Sequence, residues 1–392
     1  MLLAAAEAVS RSAALSGHGL TGAPTIDWPA LMRRKRETVA PSTTKVMDWL
    51  GGLGVELISG DARFASDSSV AVGDRLFRAE HIAIATGAAP VDLGFPGARH
   101  VTTSEQFLDL DELPKRIVFI GGGFISFEFA ELARRAGSSV TIVHRSRQVL
   151  KGFDSGLADQ LVARYRSLGI RIMLDTPVLG VSRAGAPCLR VITPAEELEC
   201  DLVVHGAGRV ADLGSLGLGD AGVEFGPQGV KVDAHLRSLT NPHVWAAGDA
   251  AEAGPPLTPV ASKQGAIVAT NILGGDAVFD PSNIPSVVFS DPPLASVGLS
   301  VAEAGERDGL EVVANDMSGW YTQARVGNDA AGARIVKESA TGRILGAHLL
   351  GINADEVVNL FALAIRAGMT AEQLREMTWA YPTAGFDLEY LG

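Results

Sequence analysis

The stretch RIVFIGGGFISFEFAELARRAGSSVTIVHR, residues 116–145, constrains the fold more than any other part of the chain. It reads as an apolar strand, a glycine-rich turn, an amphipathic helix and a second apolar strand. Two parallel strands joined by a helix commit this region to an α/β architecture. Gly121-Gly122-Gly123-Phe124-Ile125-Ser126 follows the G-x-G-x-x-G/A pattern, with Ser at the third small position. Gly121 permits the tight turn, Gly123 lets the backbone approach a pyrophosphate, and Ser126 must be small for the helix to pack on the strand. The helix N-terminus then offers free N–H groups and the positive end of a dipole to phosphates. Set between two strands and a patterned helix, the pattern predicts a dinucleotide site. At the end of the second strand, where NAD-type sites carry an acid for the ribose 2′-hydroxyl, stand His144, Arg145 and Arg147. An acid would repel a 2′-phosphate, whereas Arg145 and Arg147 would clasp one, so NADPH is favoured over NADH.

Such a unit usually opens its domain, yet residues 1–115 precede it. With 392 residues, 47% of them hydrophobic, the chain is expected to build two or three full-sized cores. Residues 1–16 and about 27–51 read as helices, followed by β-like runs at 54–58, 62–66, 69–72, 76–78 and 81–90. The polar DLDELPK segment (109–115) is a connector, and a second α/β domain runs to about residue 232. Residues 241–274 read as strand, glycine turn, loop and helix. Beyond residue 283 strands near 285–290, 311–317, 333–337 and 343–350 mix with helices near 301–308, 354–367 and 370–377, as in an α+β domain.

Net charge is −12 with scattered basic residues, which excludes a nucleic-acid surface. The cluster Arg33-Arg34-Lys35-Arg36 reads as a solvated helix face. No apolar stretch reaches the ~18 residues that would span a bilayer. The start MLLAAAEAVSRSAALSG lacks a basic n-region and carries Glu7, so it reads as an amphipathic helix rather than a signal peptide. Cys188 and Cys200 lie on alternating stretches that look like neighbouring strands, and both read as packing residues. Two cysteines allow no disulfide framework, so a reducing cytoplasm is expected, and no metal site is.

A second nucleotide site is signalled by AIATGAAP (83–90) and NPHVWAAGDA (241–250), each a hydrophobic strand ending in a small-residue turn. Asp249 follows Gly248 at a strand's carboxyl end, where it can accept hydrogen bonds from a polyol or, equally, cap a helix. The order ATG, GGGFIS, GRV (Gly208-Arg209-Val210), AAGDA, LTPVA (257–261) and FSDPPLASVGL (289–299) resembles the FAD-dependent pyridine-nucleotide disulfide oxidoreductases, among them glutathione reductase, dihydrolipoamide dehydrogenase and mercuric reductase. The resemblance runs from residue 1 to residue 392. It implies two Rossmann-like nucleotide-binding domains, the first truncated, and a C-terminal α+β dimerisation domain. Residues 1–113 and 233–282 would form the FAD-binding domain, 114–232 the NAD(P)H-binding domain and 283–392 the dimerisation domain of a homodimer. Thr86 and Gly87 would line the flavin site, with Gly208 and Gly248 in the conserved turns. Asp249 would bind the ribityl chain, Ala62 would approach the adenine, and Thr258 and Pro259 would flank the isoalloxazine.

The sequence also departs from that family's pattern. Members begin with their own G-x-G-x-x-G for FAD, then a C-x4-C redox pair, then a helix resembling MLLAAAEAV. Met1 therefore looks like an internal methionine, and the glycine turn at 121 like the second of two. Neither Cys188 nor Cys200 matches a redox position. The C-terminal His and Glu of the disulfide reductases are replaced by Tyr381 and Phe386. Tyrosine, with a pKa of about 10, is a poor base at neutral pH but can donate a proton. Phe124 stands where a tyrosine would gate the nicotinamide, and Glu128 matches the helix glutamate near flavin and nicotinamide. The expected function is hydride transfer from NADPH to FAD and on to a small-molecule acceptor, in the manner of glutathione reductase. The alternatives are a flavin oxidoreductase with a quinone or other non-disulfide acceptor, and an inactive truncated fragment.

Overall fold

The computed structural model describes residues 1–185 and 188–392. The chain forms two compact units, one of residues 1–38, 93–207 and 283–392, the other of residues 39–92 and 208–282. These units cut the chain at 38/39, 92/93, 207/208 and 282/283, where the sequence reading drew borders at 113/114, 232/233 and 282/283. The start of the chain joins the unit that carries the glycine turn for a visible reason. Helix Leu2–Ala14 buries Leu2, Ala6 and Ser10, a four-residue stripe, and packs against helix Phe124–Arg135. In helix Trp28–Gly52, the Trp28 indole donates to the Leu110 carbonyl at 3.0 Å.

The centre of the first unit is a parallel sheet of four strands in the order Leu202–His205, Arg116–Ile120, Ser139–Val143, Arg171–Met173. Ile117, Val118, Phe119 and Ile120 are all buried, as a strand covered on both faces requires. Helix Ser155–Ser167 is started by Asp154, whose carboxylate accepts from the Leu157 N–H at 2.9 Å. From strand Arg116–Ile120 the chain winds to one side, and strand Leu202–His205 returns on the other. Their carboxyl ends therefore border a switch in strand order, the place where open α/β sheets bind ligands. A small antiparallel sheet follows, of Gly180–Arg183, Leu189–Ile192 and Glu197–Cys200, with Cys200 opposite Leu189 and Cys188 just before that strand.

The C-terminal part of this unit is an antiparallel sheet of five strands, ordered Ser286–Val288, Leu294–Gly298, Ile344–Leu350, Gly332–Glu338, Leu310–Asp316. Helix Ala354–Arg366 covers it with Val357, Val358, Phe361 and Ala364. Strand Leu294–Gly298 was not expected; four of its five residues are buried, so it lacks the alternation by which strands are recognised.

In the second unit, strand Ile82–Ile84 pairs in parallel with Val244–Ala246, and Ala62–Ser66, Ser69–Val72 and Arg75–Arg78 form a meander. Phe64, Ile84, Val230, Val244 and Ala246 make its core. The run at 54–58 is not a strand. Residues 55–59 are irregular, and Val55, Leu57 and Ile58 are exposed, because no strand among the described residues offers them a ladder. The basic cluster is only half solvated. Arg33 and Arg34 are exposed, whereas Lys35 pairs with Asp109 and Arg36 with Asp111, both at 2.6 Å.

Candidate functional site

The glycine turn is dictated by backbone crowding. Gly121 has φ +112°, and a Cβ there would lie 2.2 Å from the Gly206 carbonyl oxygen and 2.5 Å from Ala207 Cα. Only glycine fits between the end of strand Arg116–Ile120 and the chain leaving strand Leu202–His205. A Cβ on Gly122 would meet the His144 ring at 2.8 Å. Gly123 precedes helix Phe124–Arg135 in extended conformation and provides no side-chain cap. The first N–H groups of that helix therefore point outward without intrahelical acceptors. Ser126 is fully buried, and its hydroxyl has no hydrogen-bond partner among the described residues. A Cβ on Gly206 would stand 1.9 Å from that hydroxyl, so Ser126 and Gly206 are small for each other's sake.

Beyond strand Ser139–Val143, His144 Nε2 lies 2.9 Å from both the Gln148 carbonyl and the Ser146 hydroxyl. Burial pushes its pKa down, so the ring is neutral and structural. Arg145 and Arg147 are exposed, with no ion pair among the described residues. Lys151, also exposed and acting electrostatically on His144, adds a third positive charge that sequence reasoning missed. Phe124, at the helix start, is 52% exposed.

Glu128 Oε1 accepts the Phe289 N–H at 3.0 Å, and burial raises its pKa. One turn on, Glu131 Oε2 accepts the Asp291 N–H at 2.8 Å and the Tyr165 O–H at 2.9 Å. Burial, reinforced by the Asp291 charge, pushes the Glu131 carboxyl up to about 8 against the opposing pull of Arg135. Two carboxyls of one helix thus hold alternate amides of one short turn. Glu131, Arg135, Tyr165 and Asp291 were not singled out in the sequence; a glutamate inside FEFAEL is the only local sign of them.

In the second unit, the ATG loop and the Gly248–Ala250 turn follow neighbouring parallel strands, with Ala246 opposite Ile84 and the Ala247 N–H donating to the Ile84 carbonyl at 3.0 Å. Gly248 has φ +66°, and a Cβ there would sit 3.1 Å from the Ala261 methyl of helix Thr258–Ile272. Gln264 of that helix accepts the Gly248 N–H at 2.7 Å. Gly248 and Asp249 thus follow one strand end and Thr86 and Gly87 its neighbour, while the helix that begins with Thr258 and Pro259 packs on the Gly248 turn through Ala261 and Gln264. Asp249 caps no helix: helix Thr258–Ile272 is preceded by Leu257 without a side-chain cap, and the Asp249 carboxylate carries no hydrogen bond from the described residues. Gly208, φ +118°, leads into strand Arg209–Ala211, which pairs with Ala88–Pro90. Ala62 begins the meander, opposite Val72, away from these turns in the topology.

Tyr381 is 63% exposed, packs edge-on against Phe386 with ring centroids 4.9 Å apart, and stacks on Tyr321 at 6.0 Å. The two residues that the sequence resemblance set in place of an acid–base pair are therefore in contact, as an aromatic pair. Cys200 is buried, which pushes its thiol up to about 12. Among the described residues no group of acidic, histidine or cysteine side chains could hold a metal ion, and no helix is long and apolar enough to cross a membrane.

Residues 3–265 match the family described as pyridine nucleotide-disulphide oxidoreductase, and residues 284–389 match its dimerisation domain. The chain is 32% identical over 359 residues to a glutathione reductase of Burkholderia cepacia, covering 91% of this chain and 80% of that protein. It is 32% identical over 373 residues to a dihydrolipoyl dehydrogenase of Bacillus subtilis (92% and 79% covered). It is 32% identical over 394 residues to a mercuric reductase of Streptomyces lividans (96% and 82% covered). The HOCl-induced flavoprotein disulfide reductase RclA of Escherichia coli superposes with a TM-score of 0.87 at 26% identity, over 100% of this chain and 87% of that one.

Proposed function

The chain belongs to the pyridine nucleotide-disulphide oxidoreductase family, and on that premise we propose that it is an NADPH-dependent flavoprotein reductase, glutathione reductase-like, that works as a homodimer. The observation that carries the nucleotide assignment is the pair Arg145 and Arg147, exposed and without ion pairs among the described residues, just past the strand that follows the glycine turn. Gly121, Gly123 and the N-terminus of helix Phe124–Arg135, which the small Ser126 lets pack against the strand, would receive the pyrophosphate, and Arg145 and Arg147 the 2′-phosphate. The residues of the second unit suit FAD. Asp249 offers to a polyol a carboxylate that carries no hydrogen bond from the described residues, and glycine at 248, at φ +66°, lets the turn pack against the Ala261 methyl of helix Thr258–Ile272. A flavin held by these residues would supply the capacity to take up hydride from a reduced nicotinamide and to hand electrons on to an acceptor.

Arg145→Glu combined with Arg147→Glu tests the nucleotide choice. Each charge-assisted contact is worth about 1–2 kcal/mol after discounting for exposure, so NADPH should bind roughly 100-fold more weakly. NADH, which lacks the 2′-phosphate, should change by no more than about threefold on long-range repulsion alone. Fluorescence titration of both nucleotides measures this, and equal losses would overturn the NADPH assignment.

A second reading, in which the acceptor is a quinone or another non-disulfide molecule, is favoured by the Tyr381–Phe386 pair. It provides stacking surface but no imidazole–carboxylate couple to protonate a leaving thiolate. Comparing NADPH oxidation with glutathione disulfide and with a naphthoquinone, on flavin-loaded protein, separates the two.

A further inference from the structure

Helix Phe124–Arg135 does two jobs in this fold. Its first turn faces the candidate nucleotide site, and its next two turns carry a buried polar network. Glu128 and Glu131, at i and i+3 on one face, accept the N–H groups of Phe289 and Asp291 at 3.0 and 2.8 Å. Those amides lie in the short connection between strands Ser286–Val288 and Leu294–Gly298. Behind Glu131, from helix Ser155–Ser167, Tyr165 donates its hydroxyl at 2.9 Å. Arg135 reaches across to helix Leu2–Ala14, donating to the Ser10 hydroxyl at 2.7 Å. Its guanidinium approaches Glu131 Oε1 at 3.6 Å and Asp291 Oδ2 at 3.8 Å, too far for a hydrogen bond to either. Both oxygens, and Arg135 Nε, are buried without hydrogen-bond partners among the described residues. Two carboxyls therefore share one cation that fully satisfies neither.

We propose that Glu131 is a positioning residue: together with Glu128 it clamps the nucleotide-turn helix onto the 289–291 turn, and the clamp opens when Glu131 ionises. The nucleotide half of this statement rests on the function proposed above; the clamp does not. The charged and titratable groups around Glu131 are Glu128 and Arg135 on its own helix, Tyr165 on helix Ser155–Ser167 and Asp291 on the turn. Helix Leu2–Ala14 adds Glu7 and Arg11, which pair with each other at 2.5 Å, and helix Ala354–Arg366 adds Asp355. All three line a cavity of about 370 Å³ that also borders Glu131 and Asp291. This cavity gives water a route to the network. A proton lost from Glu131 leaves two anions beside one guanidinium in a site with little solvent. Hydrating them through the cavity relieves the charge but draws the 289–291 turn away from the helix and frees its two amides.

The test is hydrogen exchange of the Phe289 and Asp291 amides on the full chain without nucleotide, read as protection factors from pH 5 to 9.5. Opening returns Glu131 to an ordinary carboxyl pKa and so releases a proton. Protection should therefore fall about tenfold per pH unit between pH 5 and 8 and level off above. Glu131→Gln keeps an acceptor for both donors but cannot ionise, and its protection should lose most of the pH dependence, keeping only the shallower part owed to the raised Glu128 carboxyl. Asp291→Asn removes the nearby repelling charge and should move the levelling point to lower pH. Flat protection in the wild type, an unchanged slope in Glu131→Gln, or an unmoved levelling point in Asp291→Asn would each overturn the clamp. NADPH titration at pH 7 then reads positioning. Glu131→Gln should bind within about twofold of the wild type and Glu131→Ala roughly tenfold more weakly, whereas equal affinity in all three would refute positioning. Failure to prefer NADPH would leave the exchange result standing.

Discussion

Ser126 and Gly206 make the packing of helix Phe124–Arg135 measurable. Gly206 does not occupy the left-handed region, so alanine there carries no backbone penalty; the obstacle is a Cβ 1.9 Å from Ser126 Oγ, 3.1 Å from its Cβ and 3.3 Å from its N. Ser126 is fully buried, and turning its χ1 away would press the hydroxyl into other packed atoms. Gly206→Ala should therefore destabilise the protein by about 1–3 kcal/mol, the usual cost of overpacking. Ser126→Ala removes a buried hydroxyl without a partner and should be neutral or stabilising by about 1 kcal/mol. With the hydroxyl gone, the 3.1 Å approach to Cβ and the 3.3 Å approach to the backbone N remain, which a shift of a few tenths of an ångström relieves. The double variant should then lie within about 1 kcal/mol of the wild type, a favourable coupling of roughly 1–2 kcal/mol. Urea denaturation of the four proteins, with unchanged m-values, measures it. Additivity within about 0.5 kcal/mol, or a destabilising Ser126→Ala, would refute the claim that these residues are small for each other.

Gly121→Ala meets backbone rather than a side chain, at φ +112°, so no partner substitution can rescue it. A loss of about 3–5 kcal/mol in urea is expected, and a loss below about 1 kcal/mol would show that the turn can rearrange. Cys200, buried and with its thiol pushed up to about 12, should not react with a thiol reagent at pH 8 in the native state, while denaturation exposes both thiols. Two native thiols titrating at once would contradict the burial. Stability should fall from both sides of an acidic optimum. Glu131, raised to about 8, contributes stability that is complete below its ordinary pKa and lost as pH rises through 8. Asp201, held low by the Arg116 guanidinium, contributes above its ordinary pKa and is lost as pH falls below it. Melting points across pH 3–9 check this, and the decline between pH 5 and 8 should be much shallower in Glu131→Gln, the remainder coming from the raised Glu128 and Asp387 carboxyls.

What could be seen in the sequence follows the range over which its causes act. The glycine turn was legible because a strand, a turn and a helix within thirty residues impose their own residue types. Its deepest reason, the approach of Gly206 to Gly121, was not, because it depends on which strand returns beside Arg116–Ile120. The clusters Thr86–Gly87 and Gly248–Asp249 were found as strand ends. Whether Asp249 would cap a helix could not be decided locally, since the helix starts only at Thr258. The run 54–58 had strand composition but no ladder, and Leu294–Gly298 had a ladder on both sides but no alternation. Glu131 shows the limit most sharply. In FEFAEL it looks like a polar residue of an amphipathic helix, yet its hydrogen-bond partners lie 34 and 160 residues away. Only the folded arrangement of four elements turns that side chain from a solvated acid into a buried one whose proton matters. The glycine-turn end of the helix was therefore readable from its own residues, while the end that holds it in place was not.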